Sequence, residues 1–235
     1  MTHLASRIAD RRQRVLDRIA AAAARAGRSA DAVTLVAVTK THPLDTLRAA
    51  LDAGLTDLGE NRVQELVEKS DALPGEAQGG AVRWHAIGSL QRNKARDVAA
   101  RASLFHALDS PRLARALSRK AADADRVLDV LVQVNISGEA SKSGAAPDAA
   151  HALVALADGL PHLRVTGLMG MAAPAADADE AERIVRPAFA RLRALAETAP
   201  VPLPELSMGM SGDYELAVEE GATIVRVGSA LFGAR

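Results

Sequence analysis

A single (β/α)8 barrel with an extra N-terminal helix is the fold this sequence predicts, on three observations. Eight short apolar runs alternate with Ala/Leu/Arg-rich helical segments, about one pair every 25 residues along a chain of 235. Such alternation implies right-handed crossovers and a parallel sheet, and eight strands fit a closed barrel better than an open doubly wound sheet. No G-x-G-x-x-G follows the first run, which argues against a dinucleotide-binding fold. The length suits one domain, 1–235, and no domain-length linker or low-complexity tract divides it.

Residues 2–26 read as an amphipathic helix, within a segment 1–28 expected to pack outside the barrel. Its apolar stretch, 19–24, is short and follows Asp10, Arg11, Arg12, Arg14, Asp17 and Arg18, which suits neither a secretory signal nor a transit peptide. The first strand, 34–39, is a β-branched apolar run of the kind found in buried parallel strands. Further strands are expected at 57–60, 83–88, 104–108, 128–136, 164–169, 205–208 and 223–228. Helices are expected near 43–53, 61–71, 91–101, 111–124, 147–158, 178–198 and 212–220. Pro43 and Pro111 at first-turn positions mark helix starts, as do Ser110 and Asp213 as caps or first-turn acids. Gly54 and Gly221 follow helices where a left-handed residue is wanted.

Lys plus Arg equals Asp plus Glu, 29 each, so there is no electrostatic case for nucleic acid as a partner. The absence of cysteine excludes disulfides, thiolate metal sites and cysteine nucleophiles, and fits a reducing cytoplasm. No apolar run approaches the roughly 20 residues of a membrane span. The expectation is a soluble cytoplasmic protein.

The chemistry gathers at strand ends. Lys40 closes the first strand, and the carboxyl ends of strands are where α/β barrels keep their active sites. An amine in a partly dry pocket has its charged form disfavoured and can act as a Schiff-base nucleophile; the plain alternative is a lysine snorkelling into water. Arg226 is a cation inside an apolar strand, costly unless paired with a barrel carboxylate or a ligand. Gly228-Ser229 follows the eighth strand and a Gly/Ser loop, 207–213, follows the seventh. Loops at those two ends repeatedly hold phosphate in this fold, through oriented N–H groups and helix starts. An aldehyde with a phosphate handle satisfies all three features, and that description is pyridoxal 5′-phosphate (PLP). A phosphate-sugar barrel enzyme with Lys40 as a class I aldolase amine uses the same loops.

Other polar groups admit two readings each. Asn61 reaches across a cofactor or caps the next helix. His85 and His106 read as satisfied core or pocket-wall histidines, since no carboxylate set beside them supports a metal. The basic start 91–96 reads as a solvated face, and the polar loop 138–144, with glycine at both ends, as a mobile lid.

Val38-Thr39-Lys40, Gly59-Glu60-Asn61-Arg62-Val63-Gln64-Glu65, Trp84 to Lys94, Val134 to Glu139 with Ser141-Lys142-Ser143-Gly144, Gly167 to Met171, Met208-Gly209-Met210-Ser211 with Asp213, and Val225 to Ser229 with Phe232-Gly233 resemble the pyridoxal phosphate homeostasis protein family. The likeness runs from about residue 33 to the C-terminus. It implies the barrel of alanine racemase without that enzyme's second domain. By the resemblance Lys40 forms a Schiff base with PLP, and Arg226 faces the pyridine nitrogen and keeps it unprotonated. Ser211, Gly228 and Ser229 bind phosphate, Met210 lies in the same motif and Asn61 lies beside the ring. Ala86 departs from the family, which usually carries Phe or Met there.

The resemblance further implies a monomer that takes part in vitamin B6 homeostasis. It would meet free amino acids and hand PLP to apoenzymes, with no established reaction and no catalytic residue. The alternative is a PLP-dependent amino-acid racemase. That activity needs a second acid/base group opposite the lysine, and Tyr214, the only tyrosine, has nothing to place it there.

Overall fold

A computed structural model describes residues 2–73, 82–139 and 143–233. Eight parallel strands form a closed barrel in chain order. They are β1 (Thr34–Val38), β2 (Asp57–Glu60), β3 (Arg83–Ala86), β4 (Leu104–Leu108), β5 (Leu128–Val134), β6 (Leu163–Gly170), β7 (Glu205–Ser207) and β8 (Ile224–Val227). β1 closes on β8 in register from Thr34↔Ile224 to Ala37↔Val227, so Lys40 emerges beside the end of the last strand as expected. β4 and β8 are buried at every residue, one face filling the lumen and the other meeting helices, which explains why they are apolar apart from His106 and Arg226.

The helices are α1 (His3–Arg25), α2 (Leu44–Asp52), α3 (Val63–Ala72), α4 (Ala95–Arg101), α5 (Pro111–Asp123), α6 (Ala150–Asp158), α7 (Ala178–Glu180), α8 (Arg186–Glu197), α9 (Tyr214–Glu219) and α10 (Ser229–Phe232). α1 buries Ala5, Ile8, Val15, Ile19 and Ala22 along one stripe and packs on α2, α9 and α10, outside the barrel. Thr2 caps it, its Oγ1 accepting from the Ala5 N–H at 3.2 Å. Among the described residues, no helix is long and apolar enough to cross a membrane.

Several boundaries differ from the sequence expectation. β1, β3, β5, β7 and β8 end one or two residues early, and β6 extends one residue further at each end. At most of those early ends the backbone still donates to its neighbour, as Thr39 N–H does to Gly59 O (3.0 Å) and Met208 N–H to Ile224 O (3.1 Å), while turning outward into the loops. The expected helix 178–198 breaks into α7, a π-helical turn over Ala181–Val185, and α8. Pro187 explains the wide turn: its ring carries no N–H and clashes with the carbonyl four residues back. Helices expected from 91 and 147 begin as 3₁₀ turns, and α10 replaces what reads as an open Gly-Ser loop.

The helix signals divide. Pro111 sits in the first turn of α5, but Pro43 is the cap of α2. Ser110 and Asp213 occupy cap positions without capping through their side chains. Gly54 and Gly221 adopt φ +80° and +105°, as the helix ends require.

Candidate functional site

At the carboxyl ends of the strands lies a cavity of ≈ 620 Å³. All seven residues singled out from the sequence line it: Lys40, Asn61, Met210, Ser211, Arg226, Gly228 and Ser229. Val38, His42, Ile87, Ser89, Gln133 and Met171 also belong to its wall and were not legible individually, being ordinary residue types whose place depends on strand register. Asn61 does not cap α3, since Arg62 holds the cap position. Gly88 brings the β3 end against it: a Cβ there would fall 2.2 Å from the Asn61 carbonyl oxygen, so only glycine permits the approach.

The β7 and β8 loops meet through Ser211, whose Oγ accepts from the Gly228 N–H (3.2 Å) and the Ala230 N–H (3.4 Å). Two amides thus converge on one oxygen at the cavity wall, the arrangement an anion uses. α9 and α10, at six and four residues, are too short for their dipoles to add much, so the expected contribution from helix starts gives way to these amides. Gly209 turns the β7 loop at φ +91°, and a Cβ there would lie 2.6 Å from that of Ala217. Asp213 stabilises the turn by accepting from the Met210 N–H at 2.5 Å, and burial raises its carboxyl above the ordinary range.

Arg226 is 4% exposed and faces the lumen. It donates to Ser207 Oγ (2.6 Å) and the Gly170 carbonyl (3.2 Å), both neutral acceptors. Among the described residues no carboxylate forms an ion pair with it, so the barrel-carboxylate alternative does not hold. Burial pushes the guanidinium down to about 10, which leaves it cationic at neutral pH. A buried cation served only by neutral acceptors is suited to an electron-rich ligand atom.

The histidines are core residues, as read from the sequence, and they are joined. His106 Nδ1 lies 2.9 Å from Ser207 Oγ, and its Nε2 lies 2.9 Å from His85 Nδ1. His85 Nε2 lies 2.9 Å from Asp57 Oδ1. Burial first, and then the charge of Arg226, hold His106 well below its ordinary value and therefore neutral. Burial pushes Asp57 up, but hydrogen bonds from His85 and Arg83 outweigh it and hold the carboxyl low. Among the described residues no group of three His, Asp or Glu side chains could hold a metal.

A second buried cluster sits under Lys40. The Lys69 ammonium donates to the Thr39 carbonyl (2.8 Å), Glu60 Oε1 (2.7 Å) and Glu65 Oε2 (2.8 Å). Thr39 Oγ1 donates to Glu60 Oε1 at 2.6 Å, and Glu65 Oε2 accepts from the Thr41 N–H at 2.6 Å. Thr41 adopts φ +65°, a left-handed conformation costly for a β-branched residue. The backbone on both sides of Lys40 is therefore clamped by one ammonium and two carboxylates. Burial raises the Glu60 carboxyl despite Lys69 and Thr39.

Tyr214 lies outside the cavity wall. It is buried beneath α1 with the Arg18 guanidinium 5.5 Å above its ring, and burial raises its phenol. Of the expected lid, Gly138 and Gly144 take left-handed angles of +77° and +127°. Residues 140–142, including Lys142, fall outside the described residues.

Comparison with known proteins agrees with this architecture. The family described as alanine racemase, N-terminal domain, matches residues 14–235. The pyridoxal phosphate homeostasis protein of Pseudomonas aeruginosa is 44% identical over 230 residues, covering 98% of this chain and 96% of that one. A structure of PipY from Synechococcus elongatus with PLP bound is similar at a TM-score of 0.78 and 34% identity, covering 96% of this chain and 100% of that one. Alanine racemase from Corynebacterium glutamicum shares the fold, at a TM-score of 0.71 and 19% identity over 98% of this chain and 62% of the enzyme. With a closed barrel of the racemase type and relatives matched along nearly their full length, the chain belongs to the pyridoxal phosphate homeostasis protein family.

Proposed function

We propose that this protein binds PLP in the ≈ 620 Å³ cavity, through a Schiff base on Lys40, and serves the intracellular balance of vitamin B6. The observation that carries the reading is the placing of Lys40, the buried Arg226 and the Ser211/Gly228/Ser229 loops on one wall. Bound PLP supplies an aldehyde that captures amines reversibly, and a ring that accepts electrons. Lys40 Nζ attacks that carbon with loss of water. The Gly228 and Ala230 amides with the Ser211 hydroxyl hold the phosphate. Arg226, a permanent cation, lies against the ring nitrogen and keeps it unprotonated, which weakens the ring as an electron sink.

That last feature favours carriage of the cofactor over reaction. The protein then works as a monomer in the cytoplasm, exchanging PLP with free amino acids or apoenzymes. Among the described residues, the titratable ones of the cavity wall are Lys40, His42 and Arg226, so of these a racemase would have to recruit His42 as its second acid/base. Exchange of the α-proton of alanine or serine at enzymatic turnover would favour that alternative.

The purified protein is expected to be yellow. Borohydride should bleach the band and leave a pyridoxyl group on the peptide containing Lys40. A protein that stays colourless with added PLP, or an adduct on another lysine, would sink the reading. Arg226→Ala should release PLP more than about tenfold faster, comparable to removing a charged partner in other sites. Release at the parent rate would refute its role at the ring.

A further inference from the structure

Five side chains from two groups of neighbouring strands meet in the lumen: Arg226 of β8 and Ser207 of β7 on one side, His106 of β4, His85 of β3 and Asp57 of β2 on the other. The His106–Ser207 bond joins strands on opposite sides of the barrel, so it crosses the interior. Asp57 and His85 also line a ≈ 200 Å³ cavity among the first residues of the strands, at the opposite end from Lys40. The chain of bonds therefore runs most of the barrel's height.

Its direction follows from donor and acceptor capacity. A guanidinium only donates, so Ser207 Oγ accepts from Arg226 and its own proton goes to His106 Nδ1. Neutral His106 then carries its proton on Nε2 and donates to His85 Nδ1. His85 in turn carries its proton on Nε2 and donates to Asp57 Oδ1. Every group has one consistent role, and the only carboxylate stands three side chains away from the guanidinium. A carboxylate placed directly on Arg226 would neutralise it and compete with the ring for its donors. The relay instead gives Arg226 an oriented acceptor with no carboxylate bonded to it among the described residues, although the charge of Asp213 still acts on it through space.

We propose that Asp57, His85, His106 and Ser207 form a one-directional hydrogen-bond chain whose function is to position the Arg226 guanidinium against the cofactor ring. This rests on the reading of the upper cavity as a PLP site. The four are positioning residues, since none but Arg226 reaches that cavity.

Asp57→Asn tests it. Arg83 Nη2 (2.8 Å) and Thr56 Oγ1 (3.3 Å) both donate to Asp57 Oδ2 and will hold the amide oxygen there. The amide nitrogen must then face His85, turning Nε2 into an acceptor. Both imidazoles reverse, and His106 Nδ1–H then donates to Ser207 Oγ, so the buried Ser207 hydroxyl proton loses its acceptor and the contact to Arg226 is disturbed. Histidine ¹⁵N NMR should find Nε2–H on both rings in the parent protein and Nδ1–H in the variant. PLP release should accelerate at least about tenfold, the lower end for outer partners of a site. Nδ1–H on either ring of the parent, or a variant that reverses its tautomers yet releases PLP at the parent rate, overturns the proposal. If Asp57→Asn is insoluble, Ser207→Ala decides: it cuts the chain at Arg226, and an unchanged release rate refutes the role. A parent protein that holds no PLP removes the cofactor reading and the positioning role together. The tautomers measured on that sample separate this failure from a chain that is not formed.

Discussion

Lys40→Ala is expected to give a folded, colourless protein. On the proposed reading the visible band of the parent arises from a Schiff base, and no other lysine among the described residues lines the cavity. The backbone at this position is held by groups that the substitution leaves alone: Lys69 on the Thr39 carbonyl and Glu65 on the Thr41 amide. The side chain lies beyond the last residue of β1, so its loss removes no ladder bond and little core. Its melting temperature should stay within a few degrees of the parent's, since surface and loop changes usually cost under about 0.5 kcal/mol. Residual PLP should wash out on gel filtration, held only by phosphate and ring contacts. A variant that keeps the parent's absorption band would place the anchor elsewhere.

Lys69→Met should be the most damaging single change outside the cavity. Lys69 is 5% exposed and Glu60 2%, and the ammonium spends its donors on three acceptors. Removing one partner of a buried pair leaves an uncompensated charge, which costs about 3–5 kcal/mol. Glu60 Oε2 already has no hydrogen-bond partner, and its carboxyl is already raised by burial. Without Lys69 it will take up a proton, moderating the loss towards the lower figure. Denaturant unfolding at neutral pH should therefore register a drop of about 3 kcal/mol, accompanied by weaker PLP retention as the left-handed Thr41 relaxes. Stability within about 1 kcal/mol of the parent would mean that the cluster does not hold the Lys40 backbone. The double change Glu60→Gln with Lys69→Met should recover part of the loss, because the one carboxylate it leaves without the ammonium, Glu65, is partly exposed.

The sequence made the strand ends legible because closure of an eight-stranded barrel fixes which loops are neighbours. Lys40 and the Gly228-Ser229 loop can be placed side by side from topology alone, and β1 does pair with β8. Asn61 needed the structure, since capping and lining are equally compatible with its place after β2. The histidines were legible as buried but not as connected. Which residues face each other across the lumen depends on the stagger of the strands, and neither Asp57 nor Ser207 stands out by type. Lys69 was hidden for a similar reason, lying on a helix whose pattern shows only a solvated charge. The break at Pro187 was open to inspection, and a helix running through that proline was the weaker expectation.

Pairing of Val36 with Arg226 means that the two halves of the pocket come from strands far apart in the order of translation. At about 5–20 residues per second, the strand carrying Lys40 leaves the ribosome roughly 10–40 s before the strand carrying Arg226. Through that interval the nascent chain presents the lysine without Arg226 or the converging Gly228 and Ala230 amides. Part of the apolar stripe of α1 waits as well, because α9 and α10 share its cover with α2. The pocket wall is therefore assembled only after β8 has been made, whatever order the other elements fold in.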